Sequence, residues 1–423
     1  MAAARVAVVG GGLAGLSAAL QLKSAGAHVE LFERSRLLGG RATSFVVDGD
    51  EVDNGQHVFL ACCTQFRDFV AQVGLAHELW LQDRFELVVL ARDRPPARLR
   101  SLPLPAPLHL LPTLLGYPHL GWGSRWAVAK AMLASRRTVT DGSTLSAWLD
   151  RQGQGPQARR ALWDLFLVPA LNAPAEQVPA RLGQFVIATA FLSHRDAARI
   201  GFAKIPLARI AEAASARLDG VHLRCPVTGI GLEAGRFREL RLIDGSAVGF
   251  DAAVLAIPPD RLLRLLDRPQ ELGLRGLEQF QGRPIVDVHL WYEGASLDYP
   301  FAALLDSPVQ WVFEKRPGYL CCSLSAADAV TDLTQDQLVR LCQLEIAAVA
   351  PQLAPERLAH GLAVRDRKAT YLPPPWFTRP SCRTSVENLA VAGDWTDTGW
   401  PATMESAVRS GRSAAAVLSD AGL

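Results

Sequence analysis

The stretch Arg5-Val-Ala-Val-Val-Gly-Gly-Gly-Leu-Ala-Gly15, with His28-Val-Glu-Leu-Phe-Glu33 behind it, decides the fold. Arg5–Val9 reads as a short buried strand, and Gly10, Gly12 and Gly15 form a G-x-G-x-x-G turn. Leu13, Leu16 and Leu20 then recur at the spacing of one helix face, and Gly26 stands where a helix ends. A second strand, His28–Phe32, leads to Glu33, eighteen residues after Gly15. In that order each residue has a physical use. Gly10 lets the chain turn tightly, Gly12 lets a pyrophosphate approach the main chain, and Gly15 lets the helix pack close to the sheet. The helix N-terminus, with Leu13 and Ala14 in its first turn, offers free N–H groups and a positive dipole end to phosphate. Glu33, followed by Arg34, is placed to accept hydrogen bonds from the ribose hydroxyls of adenosine. This is a dinucleotide cradle in an α/β fold, and at this point both NAD and FAD would suit it.

The next element, Gly39-Gly40-Arg41, separates the two. It resembles the pattern of flavoproteins related to amine oxidases, phytoene desaturases and protoporphyrinogen oxidases. That resemblance implies a discontinuous Rossmann-like FAD-binding domain interleaved with a substrate domain of mixed sheet and helices. It also implies that Gly40 and Arg41 approach the FAD pyrophosphate and ribityl chain; otherwise Arg41 is a solvated surface charge. Near the other end, Leu389-Ala-Val-Ala392 reads as a buried strand, and Pro401-Ala-Thr-Met-Glu405 opens a helix expected to run to about Ser413. Such flavoproteins bring a late strand and helix back to the cofactor. Gly393 and Asp394 would then meet the ribityl chain, and Thr403 and Met404 the pyrimidine edge of the flavin, where a positive dipole end favours the anionic reduced ring. Val227, at the end of an expected strand Val221–Val227, would pair through its backbone with adenine.

Longer matches sharpen the resemblance. Asp53-Asn-Gly-Gln-His57, Ala392-Gly-Asp-Trp-Thr396 and Thr398-Gly-Trp-Pro-Ala-Thr-Met-Glu-Ser-Ala-Val-Arg-Ser-Gly411 are similar to the squalene-associated flavoproteins. These are the hydroxysqualene dehydroxylases of bacterial hopanoid biosynthesis. The similarity is strong over about the first 70 and last 35 residues, and looser through Leu167–Pro174 and Asp251–Pro259. Trp400 departs from it, since a smaller aliphatic residue is expected there. The resemblance implies non-covalently bound FAD, with Gly55, Gln56 and His57 beside it, a long apolar isoprenoid substrate, and contact with the upstream synthases of the squalene route. Hydride from reduced flavin would replace an allylic hydroxyl. The reverse flow, an oxidative desaturase of squalene-like or carotenoid-like chains, uses the same parts. A flavin-free lipid carrier of the same fold is the alternative of another class, against which intact Gly10, Gly12, Gly15, Glu33 and Asp394 argue.

Leaving hydroxide needs a proton donor. His57 is the first candidate, as a protonated imidazole near neutral pH, or it only hydrogen-bonds the flavin. Asp53 is the second, as an acid of raised pKa or the orienter of His57, and otherwise a helix or turn cap. Asp397 is a weaker third. Tyr371, in a proline-rich stretch, and Trp400 are candidates to line the substrate slot.

Bulk properties suit such an enzyme. The chain has 423 residues, 49% hydrophobic and 20% charged, which points to two lobes and not to disorder. A net charge of +2 and no clustered basic stripe give no argument for nucleic acid. Seven cysteines without a C-x-x-C pattern suggest neither a disulfide framework nor a metal site. The start does not read as a signal peptide, so a cytoplasmic location is expected, either free or peripheral on the membrane face. The FAD domain is expected at 1–65, 203–262 and 380–423. The substrate domain is expected at 66–202, mostly helical, and 263–379, where Pro284–Trp291 alternates like a half-buried strand. The apolar stretch Leu102–Trp122 holds Pro103, Pro105, Pro107, Pro112 and Pro118, too many for a spanning helix. Together with a following helix bearing Arg125, Lys130, Arg136 and Arg137, it either dips into a lipid interface or caps the cavity.

Overall fold

A computed structural model of the chain describes residues 3–47 and 49–422. The opening unit forms as its local pattern requires. Strand Arg5–Val9 runs into helix Leu13–Ser24 and returns as strand His28–Phe32, parallel to the first, with Val6 opposite Val29 and Val8 opposite Leu31. Three later strands extend this into a five-stranded parallel sheet, ordered Gly220–His222, His28–Phe32, Arg5–Val9, Ala252–Leu255, Leu389–Val391. Both faces are covered, as a parallel sheet requires. Val6 and Val8 pack with Leu16, Leu20, Val408 and Leu418 of two helices. Ala7 and Val9 pack with Phe237 and Leu240 of a three-stranded antiparallel sheet.

The second helix on the first face is Met404–Asp420, capped by Thr403. It begins later and runs farther than the expected stop at Ser413, because Ala414, Ala415 and Leu418 continue its buried stripe. It lies against helix Leu13–Ser24 at Gly411. A Cβ there would come within 2.8 Å of the Ala18 nitrogen and 2.9 Å of the Ser17 Cβ, and would also strike the Ala14 carbonyl. Ser17 Oγ donates to the Val408 carbonyl at 2.9 Å across the same contact.

A seven-stranded mixed sheet forms the other half. Its order is Leu358–Leu372, Gln281–Tyr292, Tyr319–Ser325, Trp311–Arg316, Phe301–Leu304, Glu86–Ala91, Arg94–Arg100. Neighbours are antiparallel except Phe301–Leu304 with Glu86–Ala91. The stretch 66–202 holds mainly helices among its regular elements and also supplies two of these strands. One expectation changes here, since Gln281–Tyr292 is not half-exposed. It is an interior strand, with Val286, Val288 and Leu290 packed beneath helix Gln335–Ala347 and Asp287 and His289 buried on the opposite face.

The expected strand Val221–Val227 is also broken. Arg224 adopts a left-handed φ of +53°, its N–H donates to the Ser35 carbonyl and that of Cys225 to the Glu33 carbonyl. The chain thereby hooks over the end of the second strand before Val227 begins an antiparallel one. In the apolar stretch, prolines leave only a 3-10 turn, Leu108–Leu110, and a short helix, Leu111–Gly116. Helix Trp122–Ala134 follows. Arg125 does not add to its basic face: it turns inward and donates to the carbonyls of Leu115, Tyr117 and Leu120. No helix among the described residues is long and apolar enough to cross a membrane.

Gly411→Ala tests the helix contact. In an ordinary helix interior this change adds up to about 1 kcal/mol of stability. Here it should lower the unfolding free energy in urea by about 1–3 kcal/mol, because the added methyl overpacks a closed interface.

Candidate active site

The helix N-terminus at Gly12 is built as a receptor for an anion. Gly10 holds φ +109°, and a Cβ on it would strike the Ala256 carbonyl. A Cβ on Gly15 would strike the Gly10 carbonyl, so strand, turn and helix are in backbone contact. Gly12 differs. A Cβ there would meet nothing nearer than 3.9 Å, and no side chain caps the helix. Its free amides and positive end face open space lined by Leu13 and Ala14. The Gly39 N–H donates to the Gly11 carbonyl at 2.8 Å and holds Gly40 and Arg41 over this turn. Glu33 accepts from the N–H groups of Gly11 at 2.8 Å and Ser35 at 2.7 Å, which fixes its carboxylate at the strand end. The Cys225 hook brings Val227 to the same mouth, beside exposed Arg34.

The far end of the chain completes the receptor. Arg41 forms an ion pair with Asp394, donates to the Ala369 carbonyl at 2.9 Å and lies 5.4 Å over the Tyr371 ring. The Gly393 N–H donates to Ser410 Oγ at 2.9 Å, which ties this loop to the closing helix. Met404 opens that helix on the cavity wall, and Glu405 behind it accepts from the N–H groups of Gln65 and Phe66 and pairs with Arg409.

All this borders one cavity of about 1440 Å³. It runs from Glu33 and Val227, past Gly12, Arg41 and Asp394, into a chamber walled by Phe85, Phe166, Phe191, Trp311 and Phe313. Phe166 and Phe191 meet edge to face at 5.1 Å. Trp400 stands at the junction, between Phe185 at 5.1 Å and the Arg409 guanidinium at 4.9 Å. An elongated group with a phosphate-bearing polar half and a flat ring half fits this outline. The open Gly12 and the uncapped amides would hold the former, and the Arg41–Asp394 pair and Met404 would border the latter.

The proposed acids fare differently. His57 lines the cavity, its Nε2 3.2 Å from Asn54 Oδ1. Burial pushes its pKa down to about 4 against the pull of Asp53, so it is neutral near pH 7 and is not the protonated acid expected. Asp53 turns away from the cavity. It accepts from Ser44 at 2.7 Å, Leu207 N–H at 3.0 Å and Lys315 at 3.0 Å. Burial would raise its pKa, but Lys315 and these hydrogen bonds together hold it below the ordinary value. Its carboxylate thus serves the first amide of the helix that starts at Leu207. Asp397 is exposed, 3.8 Å from Arg379, and off the cavity wall. Tyr371 lies on a strand and not in a plain loop. It lines the polar part of the cavity and donates to Asp260 at 2.7 Å.

Sequence reasoning missed Asp287. It sits on the inner face of strand Gln281–Tyr292 and lines the cavity although only 4% exposed. The Gln56 N–H donates to its Oδ1 at 3.3 Å, and a Cβ on Gly55 would fall on its other oxygen. Burial pushes its pKa up to about 7, despite hydrogen bonds from Gln56, Ser323 and Cys321.

A dinucleotide receptor opening into an apolar chamber defines a flavin-dependent oxidoreductase. Over residues 13–419 the chain matches the family described as flavin containing amine oxidoreductase, and it belongs to that family. It is 29% identical over 437 residues to a hydroxysqualene dehydroxylase of Rhodopseudomonas palustris, covering 98% of each chain. It is 26% identical to a 15-cis-phytoene desaturase of Solanum lycopersicum, covering 96% of this chain and 76% of that one. Cyclohexylamine oxidase from Brevibacterium oxydans superimposes over the full length of both chains with a TM-score of 0.72 at 17% identity, which speaks to the fold.

Two measurements check this geometry. Arg41→Ala should cost about 3 kcal/mol in urea unfolding, because it strands the buried Asp394 carboxylate, and adding Asp394→Ala should recover part of that loss. In an NMR titration the His57 ring should protonate near pH 4. A midpoint near 6.5, the ordinary value, would restore it as an acid.

Proposed function

We propose that this chain is an FAD-dependent hydroxysqualene dehydroxylase, which replaces the allylic hydroxyl of hydroxysqualene by hydride to give squalene for hopanoid biosynthesis. The observation that carries the reading is the single cavity joining a dinucleotide receptor to an aromatic chamber. Nearly full-length similarity to relatives of that name supports it. FAD is the proposed occupant, with Glu33 at the adenosine mouth and Met404 at the ring end of the same cavity, and binding is proposed to be non-covalent. When bound and reduced, the flavin supplies hydride equivalents.

The protein's own part follows from the chamber. Phe166, Phe191, Trp311 and Phe313 exclude water, so a carbon that loses hydroxide does not recapture it from solvent. Their ring faces also attract positive charge developing on the chain. Neutral His57 serves as a hydrogen-bond group beside the ring site. We infer also that the protein rests on a lipid surface. Trp122, Trp126 and Leu133 share one face of helix Trp122–Ala134, and the two tryptophans are 67% and 61% exposed. Leu104 and Leu108 are exposed in the segment before it, and Lys130 and Arg137 give the charge an anionic surface would attract.

Purified protein, reduced and kept anaerobic, should convert hydroxysqualene to squalene and leave squalene and phytoene unchanged. New double bonds in squalene or phytoene under oxidising conditions would favour a desaturase, and colourless protein without releasable FAD a lipid carrier. Vesicles containing phosphatidylglycerol should float the protein, and Trp122→Ser with Trp126→Ser should abolish flotation. Wild-type protein that stays in solution would end the lipid-surface inference.

A further inference from the structure

Six carboxylates line the cavity, and they differ in their partners. Glu33 accepts from two backbone amides. Asp394 pairs with Arg41, Asp260 with Lys368, and Glu405 with Arg409. Asp366 is half-buried and bonds the Lys368 N–H in its own turn. Asp287, like Glu33 and Asp366, has no cation within ion-pair distance among the described residues, but at 4% exposure it is the most buried of the three. It is carried on the inner face of the large sheet, as is Asp366 on the neighbouring strand. Ser323 stands opposite Asp287 on the strand at its other side, and Trp311 and Phe313 project from the next strand along. Gly55 and Gln56, which the cavity wall shares with His57, press against it.

We propose that Asp287, in its neutral carboxylic acid form, is the proton donor that turns the substrate hydroxyl into water. The proposal rests on the reductive reading above. The C–O bond breaks, and its electron pair leaves with oxygen, which takes the Asp287 proton and departs as water. The carbon receives hydride, with both electrons drawn from the reduced flavin of that reading. The Asp287 carboxylate then regains a proton from solvent. Burial is what makes this carboxyl suitable, since an acid of pKa about 7 is half-protonated at neutral pH and able to give its proton up. The usual order of acid and imidazole is inverted here, with His57 pushed down to about 4 by the same burial.

The titratable and charged groups that act on Asp287 are Cys321, Cys322 and Lys315; His289 shares its strand face, Asp366 lies on the neighbouring strand, and His57 lies two residues past Gly55 with Asp53 near it. Burial pushes the Cys321 thiol well up and His289 down to about 4, and Lys315 is engaged by Asp53 and Gln56. Asp287 is therefore positioned to set the alkaline side of the activity profile.

The test compares wild type with Asp287→Asn and Asp287→Glu, each checked for bound flavin and thermal melting. Wild-type kcat should fall as pH rises through about 7. Asp287→Asn should lose about 100-fold or more in kcat at unchanged KM and flavin content, and its residual rate should be flat across that range. Asp287→Glu should restore part of the rate and the alkaline fall. Independently of turnover, carbon-13 NMR of aspartate-labelled wild type should show a buried carboxyl titrating near 7, distinct from Asp164 at about 6. This second measurement stands even where Asp287→Asn does not fold. Wild-type kcat and an unchanged alkaline limb in Asp287→Asn, or no carboxyl titrating near 7, would overturn the proposal while leaving squalene formation intact. Absence of squalene with wild type would instead overturn the reductive reading, and this role with it.

Discussion

The receptor depends on one contact, the packing of helix Met404–Asp420 on the backbone of helix Leu13–Ser24 at Gly411. The first helix alone offers uncapped amides, but nothing would define the far side of whatever those amides bind. Bringing residues 393–404 alongside supplies that side, and the pairing of Arg41 with Asp394 locks it. The pair is buried on the aspartate side, so neither partner is cheaply removed. Small residues at the crossing, Ala14, Ala18 and Gly411, let the helix axes approach closely.

Much of the opening unit could be read from residue order because its determinants are local. Strand, turn, helix and acid lie within residues 5–33, and their periodicities are those of isolated elements. The proximity of Arg41 to Asp394 is a different matter. No spacing rule links residues 353 positions apart, and it was legible only through resemblance. The break at Arg224 went unread because a left-handed arginine has no local signal; it is imposed by the carbonyls of Glu33 and Ser35.

Asp287 shows why the rest stayed hidden. In Pro284–Trp291 the alternation of Asp287 and His289 with Val286, Val288 and Leu290 looks like the solvent side of a strand. Only the tertiary structure reveals that a second lobe and a cavity cover that side. Burial likewise inverts the protonation of His57, which a sequence registers only as an imidazole of ordinary pKa. Both errors have one cause, since titration depends on what surrounds a group more than on which group it is.

The order of the segments has a consequence for biosynthesis. The ribosome delivers the glycine-rich turn first, yet strand Leu389–Val391 and the helix that locks over Gly12 emerge hundreds of residues later. A nascent chain therefore carries an open-sided pocket and a partly assembled parallel sheet whose last strand is missing. A pocket closed on both sides thus requires residues 389–420, however early the glycine-rich turn folds.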